Sequence, residues 1–194
     1  MLGVILCGGQ SSRMGSDKGL LVHEAKTWAQ TAMDKFTALQ IPIKLSVNDQ
    51  QQSDYAKVFA PGMLITDDAS LAIKGPLQGV LTTHLQHPGE DLFLLACDLP
   101  LMEPFLLQEL FSFYRQHNEY EVYLFTNDNE PEPLCGIYTA NVLAKIIALQ
   151  KESKLTRHSM KFVLSQLKGY TIPLKEEQKI YFRNFNAHAQ LNGL

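Results

Sequence analysis

The segment Val4 to Leu21, VILCGGQSSRMGSDKGLL, constrains this chain more than any other. An apolar run rich in β-formers, Met1 to Cys7, stops at Gly8-Gly9. A polar loop from Gln10 to Lys18 follows, and apolar character returns at Leu20. That order predicts a strand, a glycine-rich loop and then further structure. Gly8, Gly9 and Gly15 carry no Cβ, so the backbone can turn sharply and approach a ligand closely. Successive N–H groups in such a loop form an anion-binding concavity. Arg13 adds a planar fork for phosphate oxygens and Lys18 a compact point charge. The chemistry implied is phosphate capture at the mouth of an α/β sheet; the alternative is a solvated surface loop with two cations.

Two common phosphate motifs are absent. Lys18 is preceded by Asp17 and followed by Gly19, so there is no Gly-x-x-x-x-Gly-Lys-[Ser/Thr], and there is no Gly-x-Gly-x-x-Gly. What stands instead is Leu6-x-Gly8-Gly9-x-Ser11-x-Arg13-Met14-Gly15-x-Asp17-Lys18. This resembles the signature loop of the nucleotidyltransferases that attach a nucleotide to molybdopterin. The Gly-Gly and Asp-Lys pairs resemble the guanylyltransferase (MobA-like) branch more than the cytidylyltransferase branch, which tends to carry Ala-Gly. The family usually has Ala where this chain has Cys7, a small-for-small change.

Composition removes several function classes. At 194 residues with 45% hydrophobic content, the chain fits one domain, 1–194, with a proper core. A net charge of −3 without a Lys/Arg cluster gives no nucleic-acid surface. No apolar run is long enough to span a bilayer and no charged region precedes the first one, so a cytoplasmic protein with no membrane partner is expected. Cys7, Cys97 and Cys135 are widely spaced, which reads as reduced packing thiols.

Farther along, Trp28, Ala32, Met33, Phe36 and Leu39 recur at helical spacing and predict a helix from Thr27 to Leu39, with Trp28 in the core. Ile43 to Val47 alternates as a strand does, and Asn48-Asp49 opens a polar stretch. A short helix is expected over Asp54–Phe59 and a strand over Met63–Ile65. Pro76 suits the first turn of a helix running to Gln86, whose N-terminal N–H groups would face a cleft. Leu92 to Cys97 is an unbroken apolar run, the mark of a strand buried on both faces. Asp98 follows at once, where a strand-end carboxylate beside a phosphate loop meets the oxygen-ligand needs of Mg²⁺. A helix ending near His117, a strand over Val122–Thr126, a polar loop over Asn127–Pro133 and a strand over Leu134–Tyr138 come next. Then helices are expected over Ala140–Gln150 and Met160–Leu167, a strand over Thr171–Leu174 and an edge strand over Ile180–Asn186. Alternating strands and helices argue for a Rossmann-like three-layer α/β/α fold, its sheet mostly parallel with helices on both faces.

The resemblance implies more. It assigns Asp98, in Cys97-Asp98-x-Pro100, to magnesium. It makes Arg13, Lys18 and Asp98 the catalytic set. It gives the nucleotide Leu6, Cys7, Gly8, Gly9, Ser11, Gly15, Lys18, Asn48, Pro76, Leu77 and Gly79, with an aspartate before Gly-Pro-Leu-x-Gly. Asp68 matches that acid best, counting back from Gly75; Asp67 is the alternative, and a cap or turn role competes for either. For the pterin it implies Pro133, Arg157 or Lys161, and Asn184 and Asn186, although the Asn-x-Asn motif here continues Ala187-His188-Ala189 where the family has Thr-Pro-Glu. The implied activity is transfer of GMP from Mg-GTP to the phosphate of molybdopterin with release of pyrophosphate. GTP, molybdopterin, and molybdenum-insertion and molybdoenzyme-maturation proteins would be its partners. A cytidylyl- or sugar-phosphate nucleotidyltransferase on the same fold and a non-catalytic nucleotide-binding module are the competing readings.

Overall fold

The computed structural model describes residues 1–8 and 17–185. Strand β1 (Leu2–Leu6) is followed, past the glycine loop, by a 3₁₀ turn at Lys18–Leu20 and a small antiparallel ribbon of β2 (Val22–His23) and β3 (Lys26–Thr27). Then come α1 (Trp28–Lys35), β4 (Ile43–Val47), α2 (Gln52–Tyr55), β5 (Leu64–Thr66), α3 (Pro76–Gln86), β6 (Leu92–Ala96) and α4 (Pro104–Gln116). The remainder is β7 (Val122–Asn127), β8 (Glu130–Tyr138), α5 (Ala140–Lys151), α6 (Met160–Leu164), β9 (Gly169–Pro173) and a 3₁₀ segment at Glu176–Phe182.

Seven strands form one sheet in the order β5-β4-β1-β6-β8-β7-β9. The β5-β4-β1-β6 block is parallel, β8 runs antiparallel to both its neighbours, and β9 is parallel to β7. Because side chains alternate along a strand, each central strand feeds two cores. Ile5, Phe93, Leu95, Tyr123 and Phe125 point to the face covered by α1 and α4. Leu2, Val4, Leu6, Leu92, Leu94, Val122 and Leu124 point to the face covered by α3, α5 and α6. All five residues of β1 and of β6 are buried. The three-layer arrangement and mostly parallel sheet expected from the sequence are therefore present.

Local chemistry starts and stops the helices. Thr27 and Gln30 form a reciprocal capping box at α1 (Gln30 N to Thr27 Oγ1 3.1 Å, Thr27 N to Gln30 Oε1 2.8 Å). Pro76 and Pro104 sit in the first turns of α3 and α4, where the missing N–H costs nothing.

Four expectations need correction. The helix expected over Thr27–Leu39 ends at Lys35 and tightens into a 3₁₀ turn at Thr37–Leu39, where Phe36 turns inward edge-on to Phe93 with 5.0 Å between ring centroids. The short helix expected over Asp54–Phe59 is Gln52–Tyr55 instead. The polar loop over Asn127–Pro133 shrinks to a two-residue hairpin turn. Asp128 (φ 49°) and Asn129 (φ 66°) take the left-handed conformation that such turns need, and Glu130 already pairs with Asn127. The edge strand expected over Ile180–Asn186 is 3₁₀ helix up to Phe182. The two-residue spacing of Ile180 and Phe182 mimics a strand, but Phe182 is buried against Phe125 while Ile180 is exposed.

Burial of β6 on both faces makes a stability prediction. Leu94→Ala and Leu95→Ala remove side chains from opposite cores, so each should cost about 2–5 kcal/mol. Urea unfolding of the two variants should show comparable losses; a loss confined to one would mean that one face is not packed.

Candidate active site

The chain leaves β1 to pair β4 and β5 on one side, then returns to place β6 on the other. The carboxyl ends of β1 and β6 thus flank the point where strand order reverses, the usual place for a ligand crevice in an open α/β sheet. Cys7-Gly8 follow β1, Asn48 follows β4, Asp67 follows β5, and Cys97-Asp98 follow β6.

A cleft of about 780 Å³ opens at this edge. Leu6, Gly8, Ser46, Asn48 and Asp67 line one side; Lys74, Gly75, Pro76, Gln78 and Gly79, at the amino end of α3, line the other. Gly75 has φ 72°, which favours glycine. Gly79 is required by space, since a Cβ there would collide with Ser46 Oγ and approach Asp67 Oδ1 to 3.2 Å. Helix N–H groups and dipole favour negative charge at this end of α3.

Asp67, not Asp68, is the acid in the cleft. Burial pushes its carboxyl up to about 6, opposed by a hydrogen bond with Ser46, and its Oδ1 is buried without a hydrogen-bond partner. The Asp68 carboxylate turns away and caps the next turn, accepting from Ser70 N at 2.8 Å. Asp68, the acid that counting back from Gly75 picks, lies outside the cleft lining, because Asp67 N still bonds Val47 O, as a continuation of β5, while Asp68 begins the turn. The Leu77 side chain is buried in the core beneath α3, so it is the backbone of this residue, in the first turn of the helix, that is available to a ligand.

Across the crevice, Lys18 Nζ lies 3.4 Å from Asp98 Oδ2, each side chain about a quarter exposed. The pair is held from behind. Asp17 Oδ1 accepts from Gly19 N (2.9 Å) and from Tyr55 Oη (2.7 Å), and Asp17 Oδ2 accepts from Gln51 Nε2. Gln51 also donates to Cys7 O (3.0 Å) and exchanges hydrogen bonds with Asn48. Tyr55 is fully buried, and burial holds its hydroxyl far above the usual range. Asp17 therefore anchors the end of the glycine loop and orients Lys18. Cys97 lies against Cys7; their hydrogen bond and burial hold the Cys97 thiol well above its ordinary value, so these cysteines pack.

Asp98 presents one hard, accessible carboxylate. Among the described residues no group of three or more His, Cys, Asp or Glu could hold a metal alone. One carboxylate with an open side suits Mg²⁺, which takes its other oxygens from phosphates and water, and does not suit Zn²⁺.

Of the sequence-predicted site residues, Leu6, Gly8, Asn48, Pro76 and Gly79 line the cleft, while Lys18 and Asp98 pair beside it. Cys7 joins through its backbone, donating to Ser46 O at 2.9 Å. Gly9, Ser11, Arg13, Gly15 and Asn186 lie outside the described residues. Asn184 comes close to Asp98 through its neighbour, since Phe185 N donates to Asp98 O at 3.0 Å. The other pterin candidates sit elsewhere: exposed Arg157 lies over the Phe162 ring, Lys161 pairs with Glu130 at 2.6 Å, and Pro133 O accepts from Tyr138 Oη. Sequence reasoning missed Ser46, Gln51 and Tyr55. Gln51 was findable, because Asn48-x-x-Gln51 before a short helix is a capping-box pattern.

A cleft at the carboxyl edge of this sheet, a glycine-rich basic sequence after β1 and a strand-end carboxylate are the features of a nucleotidyltransferase. Residues 3–168 match the MobA-like NTP transferase domain, and the chain belongs to that family. It is 30% identical over 190 residues to a probable molybdenum cofactor guanylyltransferase of Flavobacterium johnsoniae, covering 98% of this chain and 94% of the relative. A second probable molybdenum cofactor guanylyltransferase, from Methanothermobacter thermautotrophicus, is 29% identical over 184 residues, with 94% and 92% covered. The crystal structure of molybdopterin-guanine dinucleotide biosynthesis protein A from Archaeoglobus fulgidus superposes with a TM-score of 0.76 at 20% identity, over 100% of this chain and 96% of that one, and so shares the fold.

The anchor behind Lys18 is testable through an asymmetry. Asp17→Ala strands the buried Tyr55 hydroxyl and the Gln51 amide and should cost about 1–3 kcal/mol, whereas Tyr55→Phe removes a donor together with its need and should cost about 1 kcal/mol. Urea unfolding checks both, and equal costs would mean that Asp17 does not carry the contact.

Proposed function

We propose that this protein is a molybdenum cofactor guanylyltransferase, transferring GMP from GTP to the phosphate of molybdopterin and releasing pyrophosphate. The observation that carries the reading is Asp98 paired with Lys18 at the carboxyl edge of the sheet, beside a cleft that ends on the amino terminus of α3. Membership of the family and the names of its relatives support the same reading. We propose further that residues 1–194 act as one nucleotidyltransferase domain in the cytoplasm; among the described residues no helix is long and apolar enough to cross a membrane.

An oxygen of the acceptor phosphate attacks the α-phosphorus in line, and the bond to the β-phosphate oxygen breaks as pyrophosphate leaves. Such chemistry is mainly positioning and charge neutralisation. Lys18, oriented by Asp17, neutralises charge on the departing pyrophosphate, and Arg13 with the N–H groups of Gly8, Gly9, Ser11 and Gly15 holds the same phosphates. Asp98 would hold Mg²⁺, which when bound supplies charge neutralisation at the phosphates. Asp67 takes the place first given to Asp68: its carboxylate, with one oxygen unpartnered, offers two acceptors that suit the two N–H donors of a guanine edge, with Asn48 and the backbone at Leu6 to Gly8 beside it. Asn184 is placed to meet the acceptor near Asp98, and Pro133, Arg157, Lys161 and Asn186 remain the further candidates for the pterin.

Pyrophosphate release with molybdopterin, Mg²⁺ and each of GTP, CTP and UTP tests the reading. Release with GTP alone is expected; release with CTP would move the protein to the cytidylyl branch, and none with any would leave a binding module or another acceptor. Asp98→Ala should lower turnover about 100-fold or more while leaving the fold intact. Asp67→Asn should raise KM for GTP about 10- to 100-fold with kcat kept. Asp67 must be ionised to accept both donors, and its pKa is raised to about 6. GTP affinity should therefore be full above pH 7 and fall as the pH drops through about 6, a dependence that Asp67→Asn should abolish.

A further inference from the structure

Lys35 closes α1 with its side chain only 7% exposed, a rare place for a lysine unless it is paired. Its ammonium meets three backbone carbonyls: Pro100 O at 2.6 Å, Met102 O at 2.6 Å and Leu99 O at 3.5 Å. Three donors thus meet three acceptors. Those carbonyls belong to the turn that leaves Asp98 for α4, and Leu99 and Met102 are themselves buried. Three carbonyl oxygens converging on one point repel one another, and the contacts to Leu99 O and Met102 O are buried, so a cation at their centre stabilises the turn. The turn's own backbone contribution is one bond, from Met102 N to Leu99 O at 3.1 Å. Burial lowers Lys35 to about 8, opposed by the nearby charge of Glu103, so the amine is still protonated at neutral pH. The last turn of a helix also favours positive charge. An amphipathic helix could fill this position with an apolar residue at no electrostatic cost; a charge here serves the turn.

We propose that Lys35 is a positioning residue of the site, its buried ammonium acting as the internal cation that folds the Asp98–Met102 turn and so holds the Asp98 carboxylate opposite Lys18. This rests on the proposed function only for its catalytic consequence. The turn is fastened at three places: Cys97 N to Leu6 O (3.2 Å) before it, Phe185 N to Asp98 O (3.0 Å) beside it, and Lys35 beneath it. Among the described residues only the last is a hydrogen-bonded contact from another element to the segment after Asp98, where Leu101 also packs against Trp28 and Phe185.

Hydrogen exchange and kinetics of Lys35→Met, which keeps the length and loses the charge, test the proposal. The Met102 amide, which donates to Leu99 O, should exchange about tenfold faster or more, with the sheet amides unchanged. The Mg²⁺ concentration for half-maximal turnover should rise by a similar factor, with KM for GTP at saturating Mg²⁺ unchanged, because Lys35 does not line the nucleotide cleft. Adding n-propylammonium to Lys35→Ala should restore protection, since it replaces the atoms removed; this variant carries the test if Lys35→Met does not fold. Unchanged protection of the turn in the variants, or protection in Lys35→Ala indifferent to the amine, overturns the proposal. Exchange reads the turn whether or not nucleotide is transferred, so a wild type that releases no pyrophosphate defeats the proposed function and leaves exchange to decide this one.

Discussion

The pairing of β1 with β6 is the contact on which the site depends. Five residues of each strand run parallel in register, from Leu2 beside Leu92 to Leu6 beside Ala96. All ten are buried. Everything chemical follows from where these two strands stop. The glycine loop leaves one and Asp98 the other, so a basic loop and a carboxylate 80 residues apart in sequence meet within 3.4 Å. The apolar surface of the pair is shared between two helical layers, so the strand ends cannot shift relative to each other without opening a core.

Around that rigid pair, the segments at the cleft edge are held by small polar hubs. Asp17 binds Gly19, Gln51 and Tyr55 at once, and Gln51 extends the hub to the ends of β1 and β4. On the far side, Lys35 gathers the turn after Asp98. Both hubs bury polar or charged atoms and satisfy them with several partners, which is how a low-dielectric interior turns a polar group into a constraint on geometry. Asp67 is the contrast. It is half-buried, its carboxyl is raised, and its buried Oδ1 has no partner. A folded chain tolerates such an oxygen where a ligand completes it.

Most of the architecture was legible because periodicity survives folding. The α3 helix spans Pro76–Gln86, as expected from Pro76 at its first turn, and β6 coincides with its apolar run to within one residue. Strand direction was not legible: β8 is as apolar in its second half as the parallel strands of the sheet, yet it runs antiparallel between β6 and β7. Direction depends on a connection, here the Asp128-Asn129 turn, whose left-handed backbone looks in sequence like any polar loop. The alternation at Ile180 and Phe182 likewise fits a strand or a 3₁₀ turn, and only the pocket beside Phe125 selects between them.

The sequence by itself determined the chemistry that could occur, because residue type carries charge, hardness and backbone freedom: glycines and cations for phosphate, a strand-end aspartate for a divalent ion, a Gly-Pro helix start for an anion. Tertiary structure alone decided which copy of a residue type does the work. Asp67 and Asp68 are chemically identical, and one lines the cleft while the other caps a turn, because β5 keeps its pairing one residue past Thr66. Lys35 looks like the polar edge of an amphipathic helix until the Asp98 turn folds over it. Burial and partners arise between segments far apart in the chain, and no local pattern encodes them.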